Sequence, residues 1–382
     1  MEIIARTLAG LEEVLADEIR ELGGNEVQIS NRAVTFNGDQ KLIYKVNYNV
    51  RTAIDVLIPI RSFNSNNADD LYRKIQNIDW TKYMTVDSTF SITPIIHSIF
   101  FKHSQFTILK AKDAIVDQFS KKFDDRPDID KRDPDLRIVL KVSDHKVTVL
   151  INSSGHQLFK RGYRKVTGIA PINEVLAAGI LALTNWDASR PLIDPMCGSG
   201  TFEIEAGMKA MNLAPGSLGR PFGFQKWKDY NPELFEEVKN EAKSKEKTDV
   251  ELNIKGFDKS MEMVRSARNN LSSFEALKGK ITFEQADFFE LNRQGEDGMI
   301  LFNPPYNKRL EVREVETFYD RIGTRLKHEW MNYDAWIISS NLGALKRIGL
   351  KPKRKIKLFN GPDESRLVEI PLYRGSKKVK QD

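Results

Sequence analysis

At 382 residues the chain is longer than one hydrophobic core usually organises, so two or more domains are expected. Hydrophobic residues make up 40%, no run approaches the roughly 20 apolar residues that span a bilayer, and Met1-Glu2-Ile3-Ile4-Ala5-Arg6 lacks the basic flank and apolar stretch of a leader, so a cytoplasmic protein off the membrane is expected. The single Cys197 cannot form an internal disulfide, the histidines show no metal-ligand spacing, and the +6 charge with a pI near 9.0 suits a nucleic-acid partner.

Residues 2–60 read as β-α-β-β-α-β, the ferredoxin-like order. Strands are expected over 2–7, 27–29, 33–36 and 52–60. Leu11, Val14, Leu15, Glu18 and Ile19 at helical spacing give a helix over 11–22, stopped by Gly23-Gly24, and a second helix follows over 40–46. From 62 to about 155 comes a second α+β unit, with helices over 69–77 and 105–123 and strands over 89–93, 136–143 and 146–152. Residues 124–130 form a polar link. This unit is poor in paired acids and reads as a binding module.

Beyond residue 170 strands and helices alternate. Strands at 192–194, 254–258, 281–286, 299–302 and 335–339, with helices at 201–212, 260–271 and 315–330, predict a mostly parallel, doubly wound α/β sheet. An antiparallel hairpin, 355–359 and 366–373, closes it. Ligands of such a sheet collect at the carboxyl ends of its strands.

At the first of those ends stands Asp194-Pro195-Met196-Cys197-Gly198-Ser199-Gly200-Thr201. Its glycines let backbone approach a ligand, and the helix from Thr201 points its N-terminus there. The turn lacks the third glycine of a dinucleotide fingerprint and the Lys of a phosphate loop. Asp258 ends the second strand, where an acid can accept from ribose hydroxyls. It follows Asp194 by 64 positions (258 minus 194) where about 20 is usual, so an insertion is expected over 212–247. Asp287 ends the third strand and can accept from an adenine amine, with Phe288 or a neighbour packing on the ring. Singly, each acid reads as a cap or turn residue. As a series facing one crevice they match S-adenosylmethionine.

Asn303-Pro304-Pro305-Tyr306 follows the fourth strand. A purine's exocyclic amine is a poor nucleophile because its lone pair is delocalised into the ring. The Asn303 side-chain oxygen and the Pro304 carbonyl can hold its hydrogens, proline stiffens the loop, and Tyr306 can stack on the base. Ring-carbon methylation through a covalent intermediate would want a Cys in this loop. Cys197 instead belongs to the cofactor turn. Lys160, Arg161 and Arg164 around Tyr163 suit phosphate contact with base stacking, and a linker anchored by Tyr163 packing is the other reading.

Gly10-Leu11-Glu12, Lys112-Asp113-Ala114-Ile115-Val116-Asp117, Arg126-Pro127, the run from Gly155 to Arg164, Ala170-Pro171-Ile172-Asn173-Glu174, the cofactor turn, Asn303 to Leu310 and Asn360-Gly361-Pro362 together resemble the THUMP-containing ribosomal RNA guanine-N2 methyltransferases of the RlmL type. The resemblance implies a ferredoxin-like part over 1–60, a THUMP RNA-binding domain over 61–160, and a Rossmann-like class I methyltransferase over 161–382. A helix begun at Asn173 and Glu174 would approach the methionine end of the cofactor. The implied reaction is S-adenosylmethionine-dependent methylation of a guanine N2 in 23S ribosomal RNA, on free RNA or a large-subunit assembly intermediate. Only this activity would carry over, because the second methyltransferase domain fused in some relatives is missing from the sequence. The chain departs from the pattern at Leu158 and Phe159, and at Asn307, where many relatives have Gly. Guanine N2 of transfer RNA and adenine N6 of RNA or DNA remain open targets for the same chemistry. A noncatalytic RNA-binding or ribosome-assembly protein on the same fold is the alternative of another class.

Overall fold

The computed structural model describes residues 1–164, 172–305 and 312–373, in two compact units that are not contiguous in sequence. One gathers Met1–Thr7, Leu15–Leu158 and Gly219–Glu241; the other gathers Leu8–Val14, Phe159–Leu218 and the chain from Ala242 onward.

The first unit begins β1 (Glu2–Arg6), α1 (Glu12–Glu21, whose first residues belong to the second unit), β2 (Asn25–Ser30), β3 (Ala33–Asn37), α2 (Gln40–Asn49) and β4 (Asp55–Asn64). It continues with α3 (Ala68–Gln76), β5 (Thr89–His97), α4 (Ser104–Phe123), β6 (Asp128–Ile129), β7 (Leu136–Ser143) and β8 (Lys146–Asn152). The first four strands pair in the order β2-β3-β1-β4, and β4 then pairs antiparallel with β8. The two α+β segments therefore share one eight-stranded sheet, β2-β3-β1-β4-β8-β7-β5-β6. The expected polar link contributes its edge strand β6. Leu71, Ile75, Trp80, Phe90, Ala111, Ile115 and Phe119 bury the helices on this sheet.

Residues 219–241 were expected as part of a methyltransferase insertion, yet they pack within the first unit. The cause is aromatic. Phe224 stacks on Tyr44 of α2 with ring centroids 4.3 Å apart and on Phe222 at 5.3 Å, and Phe235 meets Phe224 edge-on at 5.0 Å. Glu241 takes Lys41 and Lys45 at 2.6 and 2.7 Å, and these cations hold its carboxyl down at about 2.

The second unit runs through α5 (Glu174–Leu183), β9 (Leu192–Asp194), α6 (Thr201–Ala210), the end of α7 (Pro232–Ser244), β10 (Ile254–Asp258), α8 (Met261–Leu271) and β11 (Ile281–Gln285). β12 (Gly298–Phe302), α9 (Val312–Glu329), β13 (Tyr333–Ser339), α10 (Leu342–Arg347), β14 (Arg354–Asn360) and β15 (Asp363–Pro371) complete it. Its sheet order is β11-β10-β9-β12-β13-β15-β14, parallel from β11 to β13 and antiparallel at the β14–β15 hairpin. This is the doubly wound sheet read from the alternation. Strand order reverses between β9 and β12, the crevice where such sheets hold ligands.

Candidate active site

The ends of β9, β10 and β12 meet at that reversal. Asp194 on β9 lies level with Gly256 on β10, and Asp258 stands two residues further along β10. Ile193 pairs with Ile300, so Asn303, three residues past Ile300, rises just beyond Asp194 on the neighbouring strand.

The turn after β9 is tied down at both ends. Asp194 Oδ1 accepts from the Met196 amide at 2.8 Å, the Cys197 amide donates to the Phe257 carbonyl at 2.8 Å, and the Gly198 amide donates to Asp258 Oδ2 at 3.0 Å. Asp258 Oδ1 also accepts from the Ser260 amide at 2.8 Å. A carboxylate oxygen can accept twice, so each keeps capacity for a ligand hydroxyl. The buried Asn270 side chain donates to the Ser199 carbonyl at 3.0 Å, a support that local spacing does not signal.

The two glycines do different work, and both have left-handed backbone, φ +52° at Gly198 and +79° at Gly200. A Cβ on Gly198 would meet nothing within 4 Å, which leaves room over the turn for a ligand. A Cβ on Gly200 would stand 2.7 Å from the Phe283 ring, so this glycine seats α6 on β11 instead. Gly200 is the N-cap of α6 and offers no side-chain oxygen to the first-turn amides of that helix.

Asp287 is exposed beyond β11, its Oδ1 accepting from the Phe289 amide at 2.9 Å. Phe288 does not face the crevice. It is buried against Phe302, with centroids 5.7 Å apart, and stacks on Trp330. Pro195 and Thr201 are buried with the turn, Asn303 is half-buried, Pro304 buried and Pro305 exposed. Tyr306, Ala170, Pro171, Lys165 and 307–310 lie outside the described residues. Asn173 caps α5, its Oδ1 accepting from the Val175 and Leu176 amides at 2.9 and 3.4 Å.

The expected RNA-contact run needs correction. Arg161 is 1% exposed and its Nε sits 3.4 Å from Glu205 Oε1; Tyr163 is fully buried and donates to the same oxygen at 3.1 Å. Neither can stack on a base or reach a phosphate. Arg164 donates to the Ile172 carbonyl and to Thr201 Oγ1, both at 3.0 Å, and pairs with Glu174 at 3.3 Å. The run anchors α5 and α6 from within, and among its described cationic side chains Lys160 is the exposed one. In the second unit exposed Lys353 and Arg354 both pair with Glu369.

Sequence reading also missed Glu203, in the first turn of α6. It is fully buried and neither carboxylate oxygen has a hydrogen-bond partner. Burial, with Asp194 and Asp258 nearby, pushes its carboxyl well above the ordinary range. Burial does the same to Asp194, and the Cys197 thiol is pushed up by burial beside Glu203 and Asp194. A thiol so disfavoured as thiolate is no nucleophile. Among the described residues no His, Cys, Asp and Glu group could hold a metal, and no helix is long and apolar enough to cross a membrane.

Residues 161–369 match the RMKL-like methyltransferase domain, residues 2–57 the RlmL ferredoxin-like domain, and residues 65–152 the THUMP domain. The chain belongs to the RMKL-like methyltransferase family. It is 35% identical to the "Putative RNA methyltransferase slr0064" of Synechocystis sp. over 97% of this chain and 96% of that one. It is 37% identical to the ribosomal RNA large subunit methyltransferase K/L of Psychromonas ingrahamii over 94% of this chain and 48% of that protein. The chain thus spans about half the length of such K/L relatives. The solved structure of SMU.472 complexed with SAH superposes with a TM-score of 0.87 at 29% identity, covering 98% of this chain and 99% of that one. The doubly wound sheet read from the strand-helix alternation, and the class I methyltransferase fold implied by the resemblance, are those of the family.

Proposed function

We propose that the chain transfers the methyl group of S-adenosylmethionine to an exocyclic amine of RNA, with guanine N2 of 23S ribosomal RNA as target. The observation that carries this reading is the meeting of Asp194, Gly198 and Asp258 with Asn303 at the one point where strand order reverses. The open space over Gly198, the uncapped α6 amides and the remaining acceptor capacity of Asp258 fit an adenosyl amino acid. The SAH bound by SMU.472, a neighbour of the same architecture over its whole length, supports the same cofactor.

When bound, the cofactor supplies an electrophilic methyl. The protein's own part is placement. The crevice-facing turn and Asp258 position the donor, Asp287 is placed to accept from the adenine amine, and Asn173 with Glu174 opens the helix on the methionine side. Asn303 Oδ1 and the Pro304 carbonyl accept the two amine hydrogens, which lets nitrogen present its lone pair. The THUMP match and the K/L names support RNA, and 23S RNA within it. Domain limits near residues 60 and 160 are part of the proposal.

With Arg161, Tyr163 and Arg164 engaged internally, RNA contact is assigned to the THUMP module. Phe100, between β5 and α4, and Phe106, in the first turn of α4, are exposed near exposed Lys102 and His103 and half-buried Lys110, whose Nζ lies 5.8 Å from the Phe106 ring. Aromatic faces interleaved with cations suit unpaired bases. The test is transfer of labelled methyl to RNA from cells lacking this gene, read by nucleoside mass spectrometry. N2-methylguanosine in the large ribosomal RNA is expected. N6-methyladenosine or labelled transfer RNA would move the target, and cofactor binding without transfer to RNA or assembly particles would return the chain to a binding protein.

A further inference from the structure

Glu203 stands directly beneath the proposed cofactor turn. It is the third residue of α6, counted from Thr201, and its Oε1 lies where a Cβ on Gly256 would come within 2.4 Å. Gly256 is level with Asp194 and two residues before Asp258. The carboxyl is fully buried and both oxygens lack a hydrogen-bond partner.

An ionised carboxylate in that position would have no solvent and no donor beyond its own backbone amide, so burial selects the protonated form. The first-turn position on a helix favours the anion, but by a smaller amount. The neighbours reinforce the outcome. From β9 it faces Asp194, from β10 Asp258, and in the turn the Cys197 thiol. The charge on α5, Glu174, is paired with Arg164, while Glu205 on α6 is turned to Arg161 and Tyr163. Lys255 of β10 donates to Gln294, and β11 presents the Phe283 ring. No cation is seen to compensate Glu203 from these elements.

We propose that Glu203 is a specificity residue that holds a proton in the free enzyme and gives it up when a cationic sulfonium enters the crevice. The O–H bond breaks, the proton passes to solvent, and the carboxylate left behind faces the new positive charge. The methyl donor carries one positive charge more than the thioether product. The site therefore holds donor more tightly than product, and product leaves as the proton returns. This rests on the S-adenosylmethionine reading.

The experiment is titration calorimetry of the whole chain at pH 7.5 with S-adenosylmethionine and with S-adenosylhomocysteine, in buffers of low and high ionisation enthalpy. The wild type should release a fraction of a proton with the sulfonium and less with the thioether. Glu203→Gln replaces a neutral acid by a neutral amide of the same shape. It should abolish the difference and reduce the donor-to-product affinity ratio about tenfold, the effect of one charge at partly screened range. Buffer-independent heats for both ligands on wild-type protein overturn the proposal without any variant. Binding of neither ligand by folded protein overturns the cofactor reading as well, and is a different result from binding without proton exchange.

Discussion

Glu203 and Gly256 are in contact, and the glycine is what makes room for the acid. A Cβ at 256 would lie 2.4 Å from Glu203 Oε1 and 2.6 Å from the Phe283 ring. Gly256→Ala should therefore destabilise the protein by about 1–3 kcal/mol, as overpacking does, and weaken cofactor binding through the shifted turn. Adding Glu203→Ala removes the nearer obstruction and should restore part of the loss, since Phe283 stays. Denaturant midpoints of the two variants check this, and strict additivity of the substitutions would contradict the contact.

Two buried acids, Asp194 and Glu203, keep their protons to higher pH in the folded chain than in the unfolded one. Above the ordinary carboxylate range the unfolded state has lost those protons and the native state still binds them. Stability must then fall as pH rises from that range toward the raised native values. Glu18 and Glu174 are raised in the same direction, and Glu203→Gln removes one of these titrations, so its stability should decline less steeply. Thermal or urea midpoints from pH 5 to 9 on both proteins give the two slopes, and parallel curves would mean Glu203 is not the group involved.

The acids at the strand ends were legible because each follows a recognisable strand and the turn between them is glycine-marked. Glu203 was not. Helix α6 buries Phe202, Ile204, Ala206 and Met208 together with Glu203 and Glu205, so no polar face exists from which an outward acid could be told from an inward one. Arg161 and Tyr163 misled for a related reason. Their partner Glu205 lies more than forty residues on, and a local run of cations around an aromatic looks the same whether it meets phosphate or a buried carboxylate. The insertion over 212–247 was legible from the gap between Asp194 and Asp258, but the packing of its Phe224 on Tyr44 of α2, far away in sequence, was not.

Asn303→Ala should leave folding and cofactor affinity intact and lower kcat about a hundredfold, the scale of losing alignment at the reacting atom. Asp258→Ala should act the other way, weakening cofactor about ten- to a hundredfold through a lost charged acceptor and a freed Gly198 amide. Single-turnover rates at saturating cofactor, beside binding constants, separate the two effects. Equal losses in both measurements for either variant would mean its assigned role is wrong.

Phe224 is fully buried between Tyr44, Phe222 and Phe235, with no polar contact to compensate its removal. Phe224→Ala should cost about 3–5 kcal/mol, as a large-to-small change in a packed core does. Urea unfolding followed by tryptophan fluorescence would report it. A loss below about 1 kcal/mol would show that residues 219–241 are not held by this cluster.

Phe100 and Phe106 are 46% and 52% exposed, an unusual disposition for aromatics in a chain with a well-formed core under the same strands. If bases stack there, Phe100→Ala and Phe106→Ala should each weaken binding of single-stranded RNA about tenfold, and Lys102→Ala should lower the salt dependence of binding by roughly one ion. Arg161→Lys is the contrasting variant. Its guanidinium is buried against Glu205, so the substitution should reduce stability and leave the salt dependence of RNA binding unchanged. Fluorescence anisotropy with a labelled unstructured oligonucleotide at several salt concentrations distinguishes these outcomes. Unchanged affinity in both aromatic variants would remove RNA from this patch and leave an apolar surface suited to a protein partner.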